Sequence, residues 1–434
     1  MRTLYYIPAR MDLLRSTLAR HAQLLLNASS LVTSAAGTAI LGFAYWWVAA
    51  RFFSLESVGL AAAAVSIMGL ISLVAQSGLS TLLVGERLVE IDKGFSLSAA
   101  ALIVAFVSAS LLGILFVAIA NAISLNLGAM TASPVAILCF VLGCGITAFS
   151  GVLNSVFLGL LRGTLQMYHN LAFSFIKLAL LMLLAAQYGS GAKEDLVFAT
   201  WVGGQVAASC AFVLLLKGLN AGKIPKPRFA ALRPLARAFL SHHVLDLVIQ
   251  TPSILMPFLV TVILSPAVNA AFNAGWMMLR IPVLLPSALS TVLFAIGHTD
   301  REAFKSRLRL SLYISAAGGV FVAIFFALFS DFVLGIFNAE YATIAASSLQ
   351  LLGLSFFGIA IRCFYLAIER LNGWMLHASV VFAFGGAAEL LFAYVGAYSY
   401  GLVGLSIGWT LAVTLHSLYM VKAVVNAAYP RSDK

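Results

Sequence analysis

Long apolar blocks separated by short polar breaks dominate this chain. A bilayer core of about 30 Å takes about 20 apolar residues in a helix. Twelve blocks reach that length: 29–50, 57–83, 97–121, 134–160, 169–188, 196–216, 240–264, 271–296, 311–329, 342–368, 375–397 and 402–421. The longest connection, 217–239, separates six blocks from six. Barrel strands are shorter and alternate in polarity, a pattern these blocks lack. The expected fold class is an all-α integral membrane protein of twelve transmembrane helices. The expected organisation is a basic cytoplasmic interfacial segment (1–28), a first lobe (29–216), a cytoplasmic linker (217–239), a second lobe (240–421) and a cytoplasmic tail (422–434).

Composition agrees. Of 434 residues 62% are hydrophobic and 9% charged, with a mean hydropathy of +1.03. Soluble domains carry about 25% charged residues, so a soluble enzyme, a nucleic-acid-binding domain and a disordered protein are all excluded. Cys139, Cys144, Cys210 and Cys363 sit in apolar stretches without CxxC spacing, and read as small buried hydrophobes. With no Walker sequence, zinc-ligand spacing or nucleophile elbow, neither an enzyme nor a cofactor is expected. An integral-membrane polymerase or ligase would need a sizeable outer loop, and the outer loops here are short.

The net charge of +11 follows from topology, so no nucleic-acid partner is expected. With the N-terminus inside, 21 of the 26 Lys and Arg residues fall on the cytoplasmic side and only Arg51 and Lys193 outside. That asymmetry sets orientation and puts both termini in the cytoplasm. Arg2, Arg10, Arg15 and Arg20 precede an apolar run too long for a signal-peptide core, so the first block reads as an uncleaved anchor behind a basic interfacial helix.

An internal repeat organises the blocks. Leu79-Ser80-Thr81 recurs as Leu289-Ser290-Thr291, and Arg162, Met167 and His169 recur as Arg370, Met375 and His377. Both matches set span n opposite span n+6 in the same orientation. Two parallel six-helix lobes around a cleft are a transporter architecture, with substrate sites near midplane. Spans seven and eight carry Pro252, Pro257, Pro282 and Pro286, whose counterparts are not proline. These prolines read either as static bends or as points where the helices flex when the cleft opens. Arg162 and Arg370, on the cytoplasmic side, are candidates for an inner gate or simple topology signals.

Ionisable groups at midplane need a partner, a wet cavity or an escape to the interface. Five spans carry one each: Lys177, Asp246, Arg280, Arg362 and Glu389. Asp246 and Arg362 lie toward the cytoplasmic ends, where Arg362 can snorkel. Lys177, Arg280 and Glu389 are deep. Arg280 and Glu389 read either as a buried pair or, together with Lys177, as a cavity for an anionic headgroup, which a guanidinium grips bidentately. Arg51, at the outer end of the first span, is a further binding candidate.

The stretch from Trp46 to Gly85, including Trp46-Trp47-Val48-Ala49-Ala50-Arg51-Phe52-Phe53 and Leu79-Ser80-Thr81, resembles the start of bacterial polysaccharide transporters. So does Pro252 to Phe294, with Leu285-Pro286-Ser287-Ala288-Leu289-Ser290-Thr291. These belong to the multidrug/oligosaccharidyl-lipid/polysaccharide exporter superfamily. The resemblance implies a V-shaped pair of six-helix lobes with spans one, two, seven and eight lining a central cleft. It implies an inner-membrane flippase that moves an undecaprenyl-pyrophosphate-linked oligosaccharide outward by alternating access. Asn27, Ser30, Thr33, Ser34 and Gln76 would then face sugars, and polysaccharide biosynthesis enzymes would be partners. The alternative within the superfamily is a multidrug exporter. Its cation-coupled members use a first-span carboxylate, and none stands between Ser29 and Ala50.

Overall fold

The computed structural model describes residue 30 and residues 33–76, 78–84, 96–123, 127, 130–131, 133–188, 194–219, 226–297 and 300–429. The expected interfacial segment 1–28 lies outside the described residues, as do Asn27 and the last five positions of the tail. Every regular element described is helical. The first half comprises α1 (33–52), α2 (Leu55–Gln76), α3 (Leu79–Val84), α4 (Ser96–Ala122), α5 (Pro134–Gly159), α6 (Gly163–Tyr188) and α7 (Glu194–Leu219). The second half comprises α8 (Leu232–Ile263), α9 (Pro266–Gly297), α10 (Arg301–Gly335), α11 (Ala339–Leu354), α12 (Phe356–Asn372) and α13 (Met375–Ala428).

Among the described residues nine helices are long and apolar enough to cross a membrane, ten with the bent pair α11 and α12; α1 and the second arm of α13 bring the segments to twelve, and three depart from straight rods. The second span is broken at Gly78 (φ 80°), which separates α2 from α3. The tenth is bent by 43° between α11 and α12. Helix α13 turns back on itself where Tyr400 and Gly401 leave helical geometry, so its two arms form spans eleven and twelve. The arms approach on glycine: a Cβ on Gly404 would lie 2.1 Å from the Gly396 carbonyl oxygen. Helix starts follow local chemistry. Ser133 precedes Pro134 and accepts a bond from the Ala136 N–H at 3.1 Å, while Asp300 accepts from Glu302 and Ala303 at 2.9 and 3.0 Å. Such caps satisfy donors that a helix N-terminus leaves open.

The outward surface is apolar, as lipid requires: Leu138, Leu328 and Phe384 are among its most exposed side chains. Backbone groups are satisfied inside the helices, the condition for crossing hydrocarbon.

The two lobes meet along α2, which packs on both α8 and α9. Near the end that carries Arg51, the backbones nearly touch: a Cβ on Gly59 would lie 1.7 Å from the Pro266 carbonyl oxygen. Asn269 Nδ2 donates to that glycine's carbonyl at 2.8 Å. Further along, Ser66 Oγ donates to the Ile254 carbonyl. Helix α1 reaches the other lobe through one face of its Arg51 end. Phe43 meets Phe337 edge to face at 5.0 Å, and Trp47 Nε1 and Arg51 Nη2 both donate to the Ile336 carbonyl, at 2.9 and 2.8 Å.

The four prolines of spans seven and eight lie inside continuous helices, α8 and α9. Spans two and ten break instead, where no proline stands. Pro257 leaves the Ser253 carbonyl without its helical N–H, and Trp276 Nε1 bonds that carbonyl at 3.2 Å. Pro252 packs on α13 at Gly386, where a Cβ would meet its Cγ at 2.7 Å.

The repeat holds for elements, but its short motif slips. Leu161 (φ 56°) and Gly373 (φ 73°) are the matching left-handed turns between spans four and five and spans ten and eleven. Arg162 lies within the first turn. Arg370 stands in the last turn of α12, before the second.

Candidate functional site

The cavity that holds the deep charges lies within the second lobe. It measures about 270 Å³ and takes walls from α8 (Gln250, Ser253), α9 (Trp276, Arg280), α12 (Arg362) and α13 (Glu389, Trp409). Trp276 and Trp409 meet edge to face at 4.7 Å. Trp409 is buried, and its indole N–H has no acceptor among the described residues.

The charges are not paired as the sequence suggested. Arg362, not Arg280, is the partner of Glu389, at 2.5 Å. Arg362 therefore does not snorkel to the interface; it lies over the Phe382 ring at 5.4 Å with its guanidinium on a buried carboxylate. A buried pair with good geometry offsets the cost of removing two ions from water. Arg280 is exposed in the cavity wall and has no carboxylate within 4 Å among the described residues. With two guanidinium groups and one carboxylate, the cavity carries one net positive charge.

His416 stands beside Glu389, its Nδ1 3.9 Å from the same oxygen, Oε1, that Arg362 holds, with its side chain 7% exposed. Neither ring nitrogen has a hydrogen-bond partner among the described residues. The ring lies against Gly385, where a Cβ would stand 1.9 Å from Cε1, and edge-on to Phe382 at 5.7 Å.

The other candidates lie elsewhere. Lys177 is buried in the first lobe, away from this cavity. Its Nζ stands 3.4, 4.6 and 5.2 Å from the ring centres of Trp201, Phe173 and Tyr45, with no carboxylate within 4 Å among the described residues. Cation–π contact of this kind is worth about 2 kcal/mol or more in a desolvated site. Arg51 binds the opposite lobe at Ile336 and covers Trp47 at 5.6 Å. Arg370 reaches Asp246 at 3.5 Å, inside the second lobe. Arg162 is exposed.

Of the positions expected to face sugars, Ser34 accepts from Asn170 at 3.2 Å, in a chain that continues through Asn154 to His169. Gln76 turns toward Ser72 and Ser80. Both bond within the first lobe, as polar side chains of membrane helices often do. A larger cavity of about 410 Å³ lies at the Arg370 end, lined by Arg301, Lys305 and Asn372. Lys305 is paired there with Glu302 at 2.5 Å, and Asp300 caps α10.

Sequence reasoning missed His416 and the Trp276–Trp409 wall. One signal was available: Trp201 and Trp409 stand 208 positions apart, the spacing of the repeat. Each tryptophan packs beside its own lobe's buried charge.

Solved transporters share this fold. A multidrug resistance MATE family transporter of the MOP superfamily, in an inward-facing conformation, matches with a TM-score of 0.68 at 16% identity, over 91% of this chain and 96% of its own. A MATE family transporter in an outward-facing conformation matches with a TM-score of 0.56 at 16% identity, over 94% of both chains. A MOP superfamily transporter from Pyrococcus furiosus, described as having a binding pocket of reversed polarity that suggests a different function, matches with a TM-score of 0.54 at 18% identity, over 94% of both chains. No family model and no curated protein matches the sequence.

Proposed function

We propose that this protein is an alternating-access transporter for an anionic lipid-linked headgroup, an undecaprenyl-pyrophosphate-linked oligosaccharide, moved from the cytoplasmic to the outer leaflet of a bacterial inner membrane. The observation that carries this reading is Arg280, exposed in a cavity with no carboxylate within 4 Å among the described residues. A diphosphate offers the paired oxygens that a guanidinium engages bidentately. The apolar blocks of the first lobe supply no competing anion: its acidic residues, Glu56, Glu86, Glu90, Asp92, Glu194 and Asp195, all lie outside them. A drug-cation exporter would need the opposite polarity. The reversed-polarity pocket described for the Pyrococcus furiosus transporter supports such a division within one fold.

The excess of Lys and Arg on one side puts the Arg51 end outside. The contacts of Arg51, Trp47 and Gly59 with the second lobe then close the outer side, an inward-facing state. The likeness to the inward-facing MATE transporter, with a TM-score of 0.68, supports that state. The headgroup would enter from the cytoplasm while its lipid tail stays in the bilayer. An inside-negative potential favours outward movement of an anion, by about 2.3 kcal/mol per charge per 100 mV, unless protein cations or a coupled ion move with it.

The test is the leaflet distribution of undecaprenyl-linked oligosaccharide in source cells lacking the gene, complemented with wild type or Arg280→Ala. Stranding inside, relieved by wild type alone, is the expected result. An unchanged distribution on deletion overturns the flippase reading, and drug export becomes the next assay.

A further inference from the structure

Two features of the cavity have no role in gripping a headgroup through Arg280 alone. Arg362 lines the same wall but is occupied by Glu389 at 2.5 Å. His416 is buried 3.9 Å from the same carboxylate oxygen, Oε1, and neither of its ring nitrogens has a hydrogen-bond partner among the described residues. A buried polar ring without any bond is costly in a finished structure. Its place beside a carboxylate that already has a cation calls for an explanation.

We propose that Arg362 is the second arm of a two-arginine clamp for the diphosphate, and that His416 takes up one proton to replace it beside Glu389. This rests on the headgroup reading above. In the structure as it stands, Glu389 holds Arg362 and the clamp is half open. When the diphosphate enters, Arg362 turns to it and Glu389 loses its counter-ion. A buried carboxylate left alone is strongly unfavourable, and His416 is the group in place to restore the balance. The proton comes from the buffered bulk solvent, leaving no hydroxide behind, and its uptake makes an imidazolium that donates to Glu389.

The charges close. A diphosphate diester carries two negative charges at neutral pH. Arg280, Arg362 and protonated His416, less Glu389, carry two positive ones. The loaded cavity is neutral, the state in which a headgroup crosses a low-dielectric layer most easily.

The surroundings leave His416 as the acceptor. From α8 the cavity receives Gln250 and Ser253, from α9 Arg280, and from α12 Arg362 and Cys363. Tyr365, beyond Phe382, turns toward His377 at 3.4 Å. Asp246 faces Arg370 at 3.5 Å. His243 lies near Asp246, at the Arg370 end of α8.

The test is calorimetry of the full-length protein in detergent, titrated with farnesyl diphosphoryl-N-acetylglucosamine in two buffers of different ionisation enthalpy. Both acidic oxygens of this probe are ionised throughout the neutral range, so any proton bound goes to the protein. The expected result at pH 7.5 is uptake of about one proton per ligand, by linkage between ligand and proton binding. In His416→Phe the uptake vanishes and the affinity falls several-fold. Should that variant fail to fold, His416→Gln carries the same expectation. Binding without proton uptake, or uptake that survives the loss of His416, overturns the proposal and leaves the headgroup site intact. No binding by wild type overturns the reading beneath it.

Discussion

Trp276 donates its indole N–H to the Ser253 carbonyl at 3.2 Å, the carbonyl that Pro257 deprives of a helical partner. One proline thus ties α8 to α9 beside Arg280, only four residues further along α9. Ser253 and Trp276 both stand in the cavity wall. The proline therefore sets the geometry of the site while both helices stay continuous. At this proline the freed carbonyl is fastened to the neighbouring helix.

Arg280→Ala weakens binding of a diphosphate headgroup by about ten- to a hundredfold, since a hydrogen bond to a charged group contributes about 1.5–3 kcal/mol. Arg280→Lys recovers part of the loss, because it keeps the charge but not the planar fork. Thermal stability stays close to wild type in both, as the side chain is exposed. Calorimetric titration beside a melting curve separates the two effects.

With His416 replaced by Phe, Arg362→Met destabilises the fold by about 3–5 kcal/mol, because it strands Glu389 in a buried site with no cation to replace it; with His416 in place the loss is smaller. The double variant Arg362→Met with Glu389→Leu recovers most of that loss. The four-way cycle of unfolding free energies in detergent gives the coupling. Additive losses would mean that the two groups do not depend on one another.

The twelve segments were legible because the spans need only length and apolarity, which one dimension carries. The breaks at Gly78 and between α11 and α12 were not, since packing sets them and neither position holds a proline. The site was half legible. The chain displays its intramembrane charges openly, but not which of them meet. Arg362 and Glu389 are 27 positions apart on spans that run antiparallel, and Arg280 stands on a different helix, α9, so the packing of the helices decides which arginine meets the carboxylate. Lys177 was singled out as a deep charge. Its surroundings come from α1, α6 and α7, and no local pattern joins Tyr45, Phe173 and Trp201.

Lys177→Met leaves diphosphate affinity within about twofold of wild type, because the side chain is caged in the other lobe. Its stability holds or rises: methionine fills similar space, and the removed ion no longer has to be desolvated against rings that return about 2 kcal/mol. Titration and melting of the same sample check both. A large loss of affinity would bring Lys177 back into the substrate path.

The Arg51 end is closed by contacts of two kinds, and they predict different magnitudes. Arg51 and Trp47 each give one hydrogen bond to the Ile336 carbonyl at a solvent-facing position. Each bond is worth about 0.5–1.5 kcal/mol, so Arg51→Ala raises the open population by about two- to tenfold. Gly59 is different in kind. A methyl group there meets the Pro266 carbonyl oxygen at 1.7 Å, and neither backbone can yield without moving its helix. Asn269, which donates to the same glycine's carbonyl, would lose its partner with the separation. Overpacking costs about 1–3 kcal/mol in a closed interface and nothing once the lobes part, so Gly59→Ala shifts the equilibrium toward opening more strongly than Arg51→Ala. Spin labels at Phe52 and Phe332, both exposed near this end, read the separation by electron resonance. Equal distance distributions in Gly59→Ala and wild type would show that the contact does not hold the lobes together.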